Sequence, residues 1–306
     1  MAAVIGPAIL AAIHARLDRA LRPVAIRMRP FIVADTPLGF VDHARAARLE
    51  RFGPRHFHVF ADRIELASAL RDERSRSAAM ADVAATLRLE GALPGWRDEL
   101  YRVAPTFDAR PALYIERGAA RYFGVRTWAA HVNGIVRTKH SMSMWLARRS
   151  PTKATDPGML DNLVGGGISA TLSIEATVVK ESWEEAGIGK ALAATARRTG
   201  IVHVVRALSD GLQRETVFAH DLELPGDFRP INQDGEATAH RLVDIDAAAR
   251  AIAIDSGPDE LTVDASLVVL DFLIRDGRIG SSEPMRAALE ALRDRGAADP
   301  PGPISP

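Results

Sequence analysis

Residues 165–188 read GGGISATLSIEATVVKESWEEAGI, a glycine cluster followed by an acidic helical stretch. Gly165, Gly166 and Gly167 carry no Cβ, so they can adopt positive φ and let a ligand come close to the backbone. A turn is the expected conformation for them. The cluster runs into a long helical stretch, which Gly187 ends in the position of a C′ glycine. On that helix Glu181, Glu184 and Glu185 fall at i, i+3 and i+4, within an arc of about 100° on one face. Like charges at this spacing destabilise a helix by a few tenths of a kcal/mol, roughly. A hard divalent cation removes the penalty, and Mg²⁺ favours carboxylate and phosphate oxygens. A solvated acidic face is the competing reading. The glycines directly before the helix weigh against it.

The whole chain has 306 residues, and at roughly 150 per domain that allows two domains. Apolar residues make up 47% and charged residues 25%, the proportions of a globular protein, which excludes a disordered or collagen-like chain. Lys plus Arg and Asp plus Glu are both 39, so the charge balance argues against a dedicated nucleic-acid or anionic-membrane binder. Cysteine is absent, which removes disulfides, thiolate zinc sites, iron–sulfur clusters and cysteine nucleophiles together. Ile9, Leu10, Ile13, Leu17 and Leu21 recur at helical spacing, and charged residues interrupt the run well before the roughly 20 apolar residues of a spanning helix. An amphipathic helix ending before Pro23 and packed on its own domain is expected. No targeting segment is recognised in the stretch, and a cytoplasmic location is the default.

Short apolar pieces at 31–33 and 39–41 flank an expected turn at Thr36–Pro37, and 57–60 is a further strand candidate. Residues 67–90 have the periodicity of one long helix or two short ones. Beyond them HVNGIVR and MSMWLARRS read as a hairpin, IVHVVRALSD and ETVFAHDLEL as strands, and PGDFRPINQDGEA as a loop. Residues 243–254, SLVVLDFLIRDG and 283–295 read as helices. Strands alternating with helices imply an α/β (α+β) fold. The expected division is an N-terminal α+β domain over 1–120, a mixed-sheet α/β/α sandwich over 121–296 and a Pro-rich flexible tail over 297–306. No Gly/Ser linker marks the boundary, so the two parts are expected to pack closely and to shape the pocket together.

The central motif resembles the Nudix box, G-x5-E-x7-R-E-U-x-E-E-x-G-U, with U a bulky apolar residue. Gly166, Glu181, Glu184, Glu185, Gly187 and Ile188 match it. Lys180 replaces the usual Arg, Ser182 the usual apolar residue, and Leu172 the first glutamate; Glu175 is the nearest acid that could stand in. The stretches GWRDELYRV, IERGAARYFGV, HVNGIVR, MWLARRSPTKATDPGMLDN and LDFLIRDG are similar to the thiamine pyrophosphokinase-related Nudix subfamily, which carries an extra N-terminal domain.

The resemblance implies a Nudix-type sandwich and a Mg²⁺-dependent hydrolase, with Mn²⁺ as the alternative ion, cleaving a diphosphate linkage to release a monophosphate. Glu181, Glu184 and Glu185 would be metal ligands and catalytic. Glu236, on the loop after the box, is a further candidate ligand or base. Gly165, Gly166, Gly167, Arg148, Arg149 and Lys153 are the candidate substrate-binding residues. The implied substrate is thiamine diphosphate or a damaged analogue such as oxo- or oxythiamine diphosphate. The alternatives are a nucleoside-diphosphate-linked compound, or a non-catalytic Nudix-fold ligand-binding protein suggested by the off-pattern Lys180, Ser182 and Leu172. The expected partner is a small-molecule diphosphate, with a homodimer compatible and neither nucleic acid nor membrane expected. His131 and His203 read as structural histidines, and Trp96 and Trp145 as core or interface residues.

Overall fold

A computed structural model describes residues 4–22, 27–281 and 283–297; Pro23 and the expected tail beyond Ala297 lie outside them. Helix α1 (Pro7–Ala20) carries Leu10, Ile13 and Leu17 on one buried face. That face does not pack on the N-terminal part, as the division at residue 120 implies. It enters the core of the C-terminal part, with Val202, Val217 and Leu267. Arg16 is buried in the same contact, donating to Ser266 Oγ at 2.8 Å and to the Leu261 carbonyl. The reason is competition for apolar surface: the N-terminal sheet is already covered by its own helices.

That sheet begins with β1 (Met28–Val33) and β2 (Thr36–Asp42). The turn between them is Ala34–Asp35, with φ of 48° and 63° at the two residues, so Thr36 and Pro37 already belong to β2. Positive φ at both central positions matches the twist of a two-residue hairpin, which an X–Pro turn does not. Helix α2 (His43–Leu49), β3 (Phe57–Val59) and β4 (Ile64–Leu66) follow, giving the order β2-β1-β4-β3. Residues 67–90 contain one helix, α3 (Glu73–Leu89), started by a capping box between Asp72 and Ser75. Its Met80, Val83 and Leu87 close the sheet's core with Leu49 of α2. A small ribbon, β5 (Leu100–Val103) and β6 (Leu113–Glu116), leads into the second part.

The C-terminal sheet contains β7 (Arg126–Arg137), β8 (Met142–Arg149), β9 (Leu160–Asn162) and β10 (Val164–Gly167). After α4 (Ile174–Ala186) and α5 (Lys190–Ala193) come β11 (Arg197–Leu208), β12 (Gly211–Glu223) and β13 (Ala237–Asp244). The order is β11-β12-β7-β8-β13, with β10 on β7 and β9 on β8; β12 runs parallel to β7 and the sheet is mixed. Strand alternation separates two cores. Trp128, Ala130 and Val132 face α4, whereas Ala129, Val217 and Ala219 face α6 (Ile245–Ala253), α7 (Val263–Arg275) and α8 (Met285–Asp294). This is the expected α/β/α sandwich. Strand β13 is not legible in the sequence pattern, which reads its first residues as loop and its end as helix. An edge strand with one fully buried residue carries little apolar alternation. No helix among the described residues is long and apolar enough to cross a membrane.

Candidate functional site

The three glycines are strand, not turn. Gly165, Gly166 and Gly167 pair antiparallel with His131, Ala130 and Ala129, and none of them has a positive φ. Their small size serves close approach on the strand's faces. A Cβ on Gly166 would lie 2.4 Å from Glu181 Cδ, one on Gly165 2.9 Å from the His131 ring, and one on Gly167 1.8 Å from the Tyr101 hydroxyl. Opposite them, Ser173 caps α4 by accepting the Ala176 N–H at 3.1 Å. Gly187, at φ 66°, closes the helix, with its own N–H on Trp183 O at 2.9 Å and that of Ile188 on Ser182 O at 3.0 Å. Both ends of the acidic helix are therefore capped by its own flanking residues.

The carboxylates take different partners. Glu185 is buried and accepts the Gly165 N–H at 2.8 Å. Burial raises its carboxyl to about 8, opposed by that hydrogen bond and by Lys153. Burial also raises Glu181, against the pull of Lys180. The Lys180 ammonium donates to Glu181 at 2.9 Å and to Glu184 at 2.6 Å. Burial works against the charge on Lys180, but these two bonds outweigh it and lift its pKa. The loop over 225–236 docks on the end of α4, with Gln233 N–H on Glu184 O at 2.7 Å and Ile231 N–H on Ala186 O at 3.1 Å. It brings Glu236 to the same wall, where Glu236 pairs with Lys153 and lies 3.8 Å from Arg97. Burial lowers the pKa of Lys153.

A basic mouth faces the glycine strand. Arg97, Arg117, Arg149 and Lys153 line it, and Arg97 and Arg117 come from the N-terminal part. Arg117 is oriented by Glu99 at 2.9 Å and lies over the Tyr101 ring at 5.6 Å from its centroid. Arg149 is held by Asp161 at 2.7 Å. Carboxylates on a helix, a bare strand and convergent cations meet at one surface, and fixed cations of this kind can stabilise anionic oxygens.

Comparison with known proteins agrees. The NUDIX domain family matches residues 126–263, and a domain of unknown function (DUF4743) matches residues 17–127. Nudix hydrolase 24 of Arabidopsis thaliana, a chloroplastic protein, is 37% identical over 256 residues, covering 83% of this chain and 69% of that one. Nudix hydrolase 20 of the same plant, also chloroplastic, is 36% identical over 260 residues, covering 82% of this chain and 68% of that one. The chain belongs to the Nudix hydrolase family. It is a hydrolase of phosphoric anhydrides that acts on a diphosphate-linked small molecule. Among solved structures, a MutT/nudix family protein from Enterococcus faecalis aligns with 15% identity and a TM-score of 0.39, over 54% of this chain and 67% of that one. The matches support the extra N-terminal domain and do not single out a thiamine pyrophosphokinase-related subfamily.

Within this Nudix domain, Glu181, Glu184, Glu236, Arg149, Lys153 and the three glycines share one wall, with Glu185 directly behind the strand. Arg148 is elsewhere. Its guanidinium holds the Gly158 carbonyl at 2.8 Å and Asp259 at 2.8 Å, because neighbouring positions on a strand face opposite ways. Glu175, the nearest acid to the missing first glutamate, sits exposed in the first turn of α4 and does not line the cleft. The expected metal triad is present in sequence but not converged. Among the described residues, no three histidine or acidic side chains stand close enough to hold a metal ion. Glu181 and Glu184 instead bond Lys180, and Glu185 the Gly165 N–H. The donor chemistry still fits a hard cation: all are carboxylate oxygens, and Glu181 and Glu184 already share one cation, the Lys180 ammonium.

His131 bonds Asn162 at 2.8 Å and lines the cleft beside Gly165, and His203 bonds Thr216 at 3.1 Å. Trp145 lies in the core, and Trp96 bonds Asp98 at 2.6 Å beneath Arg88. The residues not singled out from sequence are Arg97, Tyr101 and Arg117. The signal that could have found them was the matching stretches GWRDELYRV and IERGAARYFGV, which contain them.

Proposed function

We propose that this Nudix hydrolase is a Mg²⁺-dependent pyrophosphohydrolase releasing a monophosphate from the diphosphate of a small, heterocycle-bearing compound. The observation that carries this is the meeting of Glu181 and Glu185 with the glycine strand, under a mouth formed by Arg97, Arg117, Arg149 and Lys153. Glu181, Glu184 and Glu185 would hold the metal, which supplies charge neutralisation at phosphoryl oxygens and a more acidic water. The bare strand lets the diphosphate lie against the backbone. The basic side chains fix its charge and orientation, so that positioning and electrostatics supply most of the rate. Glu236, paired with Lys153, would position water or take its proton. The narrower expectation of a thiamine-type substrate rests on the sequence resemblance. The family match supports the wider class, which includes nucleoside-diphosphate-linked compounds.

The test is a product assay with and without Mg²⁺ against thiamine diphosphate, oxythiamine diphosphate, a dinucleotide and a nucleotide sugar, with chromatographic identification of the monophosphates. Metal-dependent turnover that disappears in Glu184→Gln and Glu185→Gln is the expected result. Turnover that persists in both variants would overturn the roles given to these carboxylates.

A further inference from the structure

The cleft does not end at the basic mouth. It continues inward past Gly165–Gly167 to a floor that the hydrolytic chemistry leaves unused, made by Gln213 and Glu215 on β12 and Asp264 at the start of α7. Gln213 is only 3% exposed. Its amide nitrogen donates to Glu215 at 3.1 Å and to Asp264 at 3.2 and 3.3 Å. Its Oε1 is buried without a hydrogen-bond partner. A buried acceptor left unmet is costly, and one that lines a cleft is open to a donor from a ligand. Two carboxylates and this oxygen make the floor rich in acceptors. Arg121 and Arg214 also reach the wall, but Arg121 is bonded to Asp210 at 3.3 Å, and Arg214 to the Leu38 and Gly124 carbonyls at 3.3 and 3.1 Å.

The cleft is therefore bipolar, basic at the carboxylate helix and acidic at depth. A diphosphate ester entering it has only one favourable orientation, with the phosphates at the mouth and the organic group inside. We propose that the inner end is the head-group pocket, and that Gln213, Glu215 and Asp264 select a nitrogen heterocycle presenting N–H donors at its edge. The proposal rests on the mouth being the diphosphate site. It also gives the N-terminal domain a part in specificity. Gly95, Tyr101 and Arg117 close the outer side of the same cleft, and Tyr101 reaches it because Gly167 has no side chain. A site built to accept hydrogen bonds discriminates strongly against ligands without donors, because its buried acceptors are then left unpaired.

The test uses four diphosphates. Thiamine diphosphate, oxythiamine diphosphate and ADP carry N–H donors on a heterocycle; dimethylallyl diphosphate carries none. Binding is measured by calorimetry on the full chain made inactive by Glu184→Gln, and turnover on the active chain. At least one heterocyclic diphosphate is expected to bind tenfold or more tighter than the alkyl one. In Glu215→Gln/Asp264→Asn that preference should fall to within about threefold through weaker heterocycle binding, with alkyl affinity unchanged. In the active enzyme the same change should raise KM by a larger factor than it lowers kcat. If the double variant fails to fold, by thermal unfolding, Gln213→Leu is read for the same ratio. Equal binding of all four compounds, binding of none, or a preference that survives the substitutions would overturn the proposal. Selective binding without turnover would keep the pocket and sink the hydrolytic reading, whereas turnover without selectivity would do the reverse.

Discussion

Replacing Gly166 by alanine tests how the glycine strand and the acidic helix work together. The added methyl would stand 2.4 Å from Glu181 Cδ, 2.5 Å from Cγ and 2.8 Å from Oε2. Carbon contacts settle at about 3.5–4.0 Å, so the carboxylate must move by about 1 Å or more. The obstructing atoms are the far end of a flexible side chain, with its Lys180 partner half exposed and able to follow. The folding cost therefore falls at the low end of the overpacking range, about 1 kcal/mol. The catalytic cost is larger. A displacement of about 1 Å at a reacting centre is worth about 100-fold, or about 2.7 kcal/mol of barrier. The assay is kcat/KM for the substrate found in the product panel, beside thermal unfolding of the same protein. The double variant Gly166→Ala/Glu181→Gln supplies the decisive comparison. If the methyl acts by displacing Glu181, the double variant is no slower than Glu181→Gln alone. Full activity in folded Gly166→Ala, or additive losses in the double variant, would refute the argument. Gly167→Ala is the contrasting case: its methyl would meet the Tyr101 hydroxyl at 1.8 Å, so the N-terminal domain must withdraw and the stability loss should be the greater.

Three further outcomes are expected. Ser182 is fully buried with its hydroxyl unpartnered, so Ser182→Ala should be neutral or stabilising by up to about 1 kcal/mol in urea unfolding; a clear loss would reveal a partner for the hydroxyl. Glu185, raised to about 8 by burial, binds its proton more tightly in the folded chain than in the unfolded one, so in the metal-free protein its own contribution to stability is complete below about pH 4.5 and is lost as pH rises through about 8. Glu185→Gln should remove that slope and be the more stable protein at pH 8, by a few kcal/mol, since each tenfold change in proton affinity is worth about 1.36 kcal/mol; parallel pH curves for the two proteins would refute it. Arg16→Met strips donors from the Leu261 carbonyl and Ser266, and should cost about 2–4 kcal/mol in urea unfolding, while an unchanged midpoint would mean that α1 does not hold the C-terminal core.

What the sequence determined was local. The spacing of Glu181, Glu184 and Glu185 on one helix face, the helix-ending Gly187 and the alternation of apolar strands with amphipathic helices all follow from periodicities of a few residues, and the structure keeps them. The box pattern is legible for the same reason, since its carboxylates belong to one short element. Long-range pairing was not legible. Three consecutive glycines are as compatible with a turn as with a strand until the neighbours are known, and here the neighbours are the His131 ring, Glu181 and Tyr101, contributed by three separate elements. Arg148 and Arg149 are indistinguishable by composition, yet strand register sends one to the loop at Asp259 and the other to Asp161 in the cleft. The amphipathic α1 announces that it must be buried, but which core receives it was decided by where apolar surface remained uncovered. The joint authorship of the cleft by both parts of the chain is tertiary in the same sense. Arg97 and Arg117 come to line the cleft only because the N-terminal ribbon packs beside the glycine strand: side-chain chemistry is encoded locally while the direction each side chain faces is set by packing.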